Sequence, residues 1–95
     1  MQNELIKEGV PYMGQDDKIK EAQEILDWAI THLNVGIRCK VTNYKHENFQ
    51  VQVFTKENKL IMPVQISEEW IKGTNPRENL IHDKIEILFK NLQNY

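Results

Sequence analysis

The sequence is poor in the residues on which disulfide-bonded domains and many enzymes depend. Among 95 residues there is one cysteine, Cys39, and one serine, Ser67. A lone cysteine cannot form an intramolecular disulfide, and no second cysteine is present to help hold a metal. The four glycines stand singly, so no glycine-rich phosphate loop is present. These absences exclude a disulfide scaffold and leave few groups for nucleophilic or phosphate chemistry.

Long apolar runs and an excess of one charge are also absent. No segment is long and apolar enough to span a bilayer, and the first residues lack the continuous apolar stretch of a signal peptide. The formal net charge is −2, so no overall basic field attracts nucleic acid. With 40% hydrophobic and 27% charged residues, the composition is that of a folded soluble domain. We therefore predict one cytoplasmic domain over residues 1–95 that does not interact with membranes.

The first third of the chain predicts an amphipathic helix. Apolar residues recur at three- and four-residue spacing from Asp17 to Leu33, with Asp16 or Asp17 as the cap and Asn34 as a left-handed stop. The stripe consists of Ile19, Ala22, Leu26, Ala29, Ile30 and Leu33. Residues 1–15 are predicted to form an irregular segment that packs on this helix.

The middle of the chain predicts three strands joined by short loops. Apolar and polar residues alternate in GIRCKVTNY, FQVQVFT and LIMPVQI, as expected for strands with one buried face. The inward residues are predicted to be Ile37, Cys39, Val41, Phe49, Val51, Val53, Leu60, Met62, Val64 and Ile66. Pro63 cannot donate to a ladder, which places the third strand at an edge or a bulge.

The last third predicts helical structure after the sheet. Ser67 caps a short turn that Gly73 closes, and Asn75-Pro76-Arg77-Glu78 predicts the start of a helix from Pro76 to about Leu92. Its stripe is Ile81, Ile85, Leu88 and Leu92. The predicted class is α+β, in the order α-β-β-β-α, with a three-stranded antiparallel meander and both helices on one face of the sheet. The open face would carry Arg38, Lys40, Thr42, Tyr44, Gln50, Gln52, Phe54, Ile61 and Gln65.

This order of elements resembles the double-stranded RNA-binding domain. The segment from His46 to Val53 is similar to the loop histidine and alternating second strand of that family. The family also carries a lysine-rich cluster at the start of its last helix, whereas residues 75–79 offer one arginine beside a glutamate. The resemblance therefore implies a shared topology and not RNA recognition.

The charges are distributed unevenly along the chain. Residues 1–35 hold three basic and seven acidic groups, and residues 36–66 hold five basic and two acidic groups. A basic sheet face with aromatic side chains is a surface on which single-stranded RNA stacks. RNA binding is therefore the alternative function, with Arg38, Lys40, Tyr44, Lys45 and Phe54 as candidate residues. A solvated polar face explains the same pattern.

Little in the sequence predicts catalysis. Cys39 lies on the inward side of its strand, where a thiol behaves as a small hydrophobe, and Ser67 suits a helix cap. His82 and Glu86 have the spacing of two metal ligands on a helix, but no third ligand follows at useful spacing. We predict no enzymatic activity, no metal and no cofactor.

Three apolar residues are candidates for contact with a protein partner. Trp28 lies almost opposite the stripe of the first helix, where it either anchors a partner or is covered by the N-terminal segment. Leu80 and Phe89 lie on opposite flanks of an unusually wide apolar arc on the last helix. We therefore predict a small non-catalytic interaction module that binds a protein or a second copy of itself.

Overall fold

The computed structural model describes residues 10–94 and confirms the predicted α+β class. The elements in chain order are helix α1 (Val10–Leu33), strands β1 (Ile37–Lys45), β2 (Asn48–Thr55) and β3 (Leu60–Ser67), helix α2 (Glu68–Lys72), a 3₁₀ turn (Pro76–Glu78) and helix α3 (Asp83–Leu92). The strands form an antiparallel meander in the order β1-β2-β3. Pro63 lies on β3, which is an edge strand as predicted.

The hydrophobic core lies between the helices and one face of the sheet, which we call the inner face. The sheet supplies Ile37, Cys39, Val41, Phe49, Val51, Val53 and Ile66, while α1 supplies Ala22, Leu26 and Ala29, and α3 supplies Ile85, Phe89 and Leu92. All are members of one cluster of buried residues. The prediction that both long helices cover the same face of the sheet is confirmed.

Helix α1 starts earlier than the apolar periodicity indicates. It begins at Val10, so Asp16 and Asp17 lie inside the helix and the prediction that either caps it is wrong. Residues 10–15 of the segment predicted to be irregular are therefore helical, and residues 1–9 lie outside the described part of the chain. The end of the helix is as predicted, because Asn34 has a φ of 56°.

A β-bulge in β1 moves Tyr44 to the inner face. The pairing with β2 shifts register between Val41 and Asn43, after which Tyr44 is paired with the buried Phe49. Because one extra residue reverses the alternation of side chains, the prediction that Tyr44 lies on the open face is wrong. Its ring instead packs against Phe49, with ring centroids 4.8 Å apart.

A second irregularity, at the start of β3, exchanges two apolar residues between the faces. Val53 is paired with Met62, but Phe54 is paired with Leu60, so Ile61 is the extra residue. Leu60 therefore lies opposite Phe54 and is 54% exposed, and Ile61 packs partly against the core. The predictions of an inward Leu60 and an outward Ile61 are both wrong.

The predicted helix from Pro76 is interrupted before α3. Asn75 caps only the 3₁₀ turn by accepting a hydrogen bond from the Arg77 amide, after which Asn79 adopts a left-handed conformation with a φ of 53°. Backbone hydrogen bonds between Asn75 and Leu80 then close the loop. Helix α3 begins at Asp83 and is capped by His82, whose Nδ1 accepts from the Lys84 amide.

Gly73 allows the two ends of this loop to approach each other. A Cβ atom at Gly73 would lie 2.6 Å from Cδ2 of His82, closer than any ordinary contact. The buried Thr74 joins the same two segments, because its hydroxyl donates to the Trp70 carbonyl and accepts from the His82 amide. His82 is thereby held beside Trp70, with ring centroids 6.3 Å apart.

Candidate interaction surface

The face of the sheet turned away from the helices, which we call the outer face, carries basic and neutral side chains. Its residues are Arg38, Lys40, Asn43, Lys45, Asn48, Gln50, Gln52, Phe54, Leu60, Pro63 and Gln65. Arg38, Lys40 and Lys45 are exposed and form no ion pair with any residue from 10 to 94. None of these eleven residues is acidic. The outer face is therefore a positively charged surface on a chain whose net charge is −2.

One end of the outer face is apolar. In the register of the sheet, Arg38 lies opposite Phe54, and Phe54 lies opposite Leu60. Phe54 is half-buried and Leu60 is exposed, and neither is packed against the core. The row therefore places a guanidinium beside two apolar side chains, an arrangement that suits a partner with both acidic and apolar groups.

Of the five residues predicted to bind RNA, four lie on the outer face. Arg38, Lys40, Lys45 and Phe54 lie there, whereas Tyr44 is on the inner face. Loss of Tyr44 leaves Phe54 as the only aromatic ring among the outer-face residues. The platform for base stacking is correspondingly smaller than the sequence suggests.

Tyr44 takes part in a polar network that joins α1, β1 and α2. The Glu68 carboxylate accepts hydrogen bonds from Lys18 Nζ at 2.6 Å and from the Tyr44 hydroxyl at 2.7 Å. Lys18 Nζ also lies 5.0 Å from the centre of the Tyr44 ring. The hydrogen bonds from Lys18 and Tyr44 lower the pKa of Glu68, and the hydrogen bond to Glu68 raises the pKa of both Lys18 and Tyr44. No local pattern in the sequence indicates this network, since the hydrogen-bonded pairs are 24 and 50 residues apart.

The two edges of the sheet differ in how their backbone groups are paired. At the β1 edge, the Gln23 side chain donates from Nε2 to the Cys39 carbonyl at 3.1 Å and accepts from the Val41 amide at 2.8 Å. The side-chain amide of Gln23 therefore makes the hydrogen bonds that a neighbouring strand would make, and the β1 edge is closed at its centre. No signal in the sequence distinguishes Gln23 from any other glutamine on a helix.

Among residues 10–94, nothing covers the β3 edge in a comparable way. The Glu68 amide donates to the Glu47 carbonyl, so by alternation the backbone groups of Ile66 and Val64 point toward β2. Those of Pro63, Gln65 and Ser67 therefore point away from the sheet. No hydrogen bond between residues 10 and 94 reaches the Gln65 amide or carbonyl from beyond this edge.

The groups that could support nucleophilic or metal chemistry have structural roles. Burial raises the pKa of Cys39 to about 12, with Asp27 adding to the effect, so its thiol remains protonated. Ser67 caps α2 by accepting from the Glu69 amide, and His82 caps α3. Within residues 10–94, no three histidine, cysteine, aspartate or glutamate side chains are arranged to hold a metal ion.

The three predicted contact residues for a protein have different environments. Trp28 is half-buried against the edge of the core and stacks on His32, with ring centroids 4.9 Å apart. Leu80 is 51% exposed in the loop before α3, whereas Phe89 is fully buried and contributes no surface. On α3 the exposed apolar residue is Ile87, at 57%. Some side chains of the wide apolar arc, such as Phe89, therefore lie in the core, and others, such as Ile87, are exposed to solvent.

A cleft of about 460 Å³ lies between α1 and the 3₁₀ turn. Its lining residues are Glu21, Glu24, Ile25, Asn75, Pro76 and Arg77. No histidine, cysteine or serine lines it, so it offers carboxylates and a guanidinium but no nucleophile.

Comparison with known proteins identifies no relative. No protein-family model, curated protein or solved structure matches the chain. The likeness to the double-stranded RNA-binding domain is therefore limited to the order of elements and the segment after His46. No helix within residues 10–94 is long and apolar enough to cross a membrane.

Proposed function

We propose that this chain is a non-catalytic interaction module that binds an acidic, partly apolar protein segment on the outer face of the sheet. The observation that carries the proposal is the absence of any acidic residue among the eleven on that face, together with the row of exposed Arg38, half-buried Phe54 and exposed Leu60. Basic groups that form no ion pair within residues 10–94, beside the apolar Phe54 and Leu60, offer a partner both electrostatic steering and apolar area to bury.

A non-catalytic role is supported by the structural roles of the side chains that could otherwise act as a nucleophile or a base. Cys39 is buried with a raised pKa, and Ser67 and His82 cap helices. Each residue has a local structural role that accounts for its position. The proposal includes a cytoplasmic location, consistent with one reduced, buried cysteine, which cell fractionation would test.

RNA is the second candidate ligand because Arg38, Lys40 and Lys45 are exposed on one strand. Two observations favour a protein over RNA. Tyr44 is hydrogen-bonded to Glu68 on the inner face, which removes one stacking ring. The apolar pair Phe54 and Leu60 also offers contacts that a phosphate backbone does not use.

The test is an NMR titration that compares ligands of opposite chemistry. The probes are a peptide of alternating glutamate and leucine, a matched peptide of alternating lysine and leucine, and an oligouridylate. We expect the acidic peptide to shift the amide signals of Arg38, Lys40, Phe54 and Leu60, with weaker binding at higher salt. If only the oligouridylate shifts these signals, the ligand is nucleic acid and the protein proposal is wrong.

Charge-reversal variants distinguish binding to the outer face from a general effect of the net charge. The double variant Arg38→Glu/Lys40→Glu should lose the shifts caused by the acidic peptide. The matched control Lys20→Glu/Lys84→Glu changes the net charge equally at two exposed helical positions. Equal loss of binding in both double variants would mean that overall charge, and not the outer face, governs the interaction.

A further inference from the structure

The open edge of β3 has only a few backbone groups that can form hydrogen bonds with another strand, and the donors and acceptors among them are not equally distributed. The residues whose backbone groups point outward at this end are Pro63, Gln65 and Ser67. Pro63 has no N–H to donate. Ser67 is the N-cap of α2, so its carbonyl accepts the first hydrogen bond of that helix. The groups still available are the Pro63 carbonyl, both Gln65 groups and the Ser67 amide.

We infer that β3 pairs with β3 of a second copy of this chain, antiparallel, with Gln65 opposite Gln65 of the other copy. In this register the two Gln65 residues exchange two hydrogen bonds. Pro63 lies opposite Ser67 of the other copy, so each Ser67 amide donates to a Pro63 carbonyl. The missing Pro63 N–H then faces the Ser67 carbonyl that α2 already uses. The β3 strand of the second copy, related by a two-fold axis, therefore provides a hydrogen-bond partner for every available group.

Other symmetric registers leave groups unpaired. With Pro63 opposite itself, neither copy has an N–H to donate at the centre. With Val64 opposite itself, Gln65 faces Pro63 of the other copy, and the Gln65 carbonyl receives no donor. The position of the proline therefore disfavours both of these registers relative to the pairing centred on Gln65.

Charge and packing support a second copy as the occupant of this edge. No residue from Leu60 to Ser67 is charged, so two β3 strands meet without repulsion. The basic groups lie on β1, and in a six-stranded sheet the two β1 strands are separated by five strand spacings, about 24 Å. This exceeds the screening length of about 8 Å at physiological salt. Val64 faces the core but is only half-buried, and the pairing places Ile66 of the other copy beside it.

The inference goes beyond binding on the outer face, because the pairing uses only the β3 edge. Its first test is sedimentation of the wild-type chain over a range of concentrations with no ligand present. We expect a monomer–dimer equilibrium, and a strict monomer at millimolar concentration would overturn the inference. The peptide titration of the outer face can succeed or fail independently of this result.

The register is tested by charges placed at its centre. Gln65→Glu and Gln65→Lys each place like charges directly opposite each other, which should raise the dimer dissociation constant about fivefold or more. An equimolar mixture of the two variants should dimerise again, because the charges are then opposite. The matched controls Gln52→Glu and Gln52→Lys lie on the same face of the central strand and should dimerise like the wild type. A dimer unaffected by either Gln65 variant would show that another surface mediates it.

A covalent trap gives a second measurement. Paired residues at such a position have Cα atoms about 5.5 Å apart, within the range that a disulfide bridges. Under mild oxidation Gln65→Cys should give a disulfide-linked dimer, and Gln52→Cys should remain monomeric. The native Cys39 is buried and should not react. Equal cross-linking of both variants would overturn the proposed register.

Discussion

The two faces of the sheet use the same strands for different purposes. The inner face buries Phe49, Val51 and Val53 almost completely beneath α1 and α3. The outer face carries three cations, several amides and the apolar pair Phe54 and Leu60. Because successive side chains of a strand point to opposite faces, a single run of sequence specifies both surfaces at once. The apolar contacts that stabilise the fold therefore lie on the inner face, and the outer face contributes few of them.

The largest expected effect comes from equal truncations on the two faces of β2. Phe49→Ala should lower the free energy of unfolding by about 3 to 5 kcal/mol, because it leaves a cavity under the helices. Phe54→Ala should cost about 1 kcal/mol or less, since Phe54 lies on the outer face and is not among the hydrophobic residues packed against the core. Urea unfolding of the two variants measures the difference. Similar losses in both would contradict the assignment of the two faces.

Helix α3 offers the same comparison in the layer above. Ile85→Ala should cost about 2 to 5 kcal/mol because Ile85 is fully buried, and Ile87→Ala should change stability by no more than about 0.5 kcal/mol. Thermal unfolding at low protein concentration checks both. A large loss for Ile87→Ala would contradict the exposure of this residue on α3.

The closed edge of β1 should be sensitive to one side chain on α1. Gln23→Ala removes the partners of the Val41 amide and the Cys39 carbonyl, which should cost about 1 to 3 kcal/mol. Hydrogen exchange at the Val41 amide should also accelerate. The neighbouring variant Glu24→Ala is the control, because Glu24 is exposed and bonds to no strand. Unchanged exchange at Val41 in Gln23→Ala would contradict the role assigned to Gln23.

The smallest effect concerns the acid dependence of stability through Glu68. Its pKa is lower in the folded chain than its ordinary value of 4.5, so the unfolded chain binds the proton more tightly. The stabilisation by Glu68 is therefore present above pH 4.5 and is lost as the pH falls through the lower folded pKa. Glu68→Gln should have a lower melting temperature than the wild type near pH 7. Between pH 7 and pH 3, the melting temperature of this variant should fall less than that of the wild type. Parallel melting curves from pH 7 to pH 3 would contradict this role.

Local sequence patterns predicted most of the secondary structure correctly and failed where a single residue changed the pattern. Alternation identified all three strands, and Asn34 and Ser67 ended and began helices as predicted. The extra residues in β1 and β3 then reversed the faces of Tyr44 and Leu60, because a period of two transmits any insertion to the rest of the strand. The predicted start of the last helix failed because Asn79 adopts a left-handed conformation.

Three of the five residues in the basic candidate set, Arg38, Lys40 and Phe54, follow from strand alternation and composition alone. Lys45 lies on the outer face only because the bulge in β1 shifts the alternation. Leu60 and the open edge of β3 could not be found from sequence, because they depend on the register of paired strands. Gln23, Lys18 and Glu68 also escaped prediction, as their partners are brought together only by packing α1 and α2 around the sheet. The sequence by itself determined the class of fold and the sign of charge on the outer face, both of which depend on local patterns. Only the tertiary structure decided which edge is closed and which side chains form each face, since hydrogen bonds between distant residues settle these points.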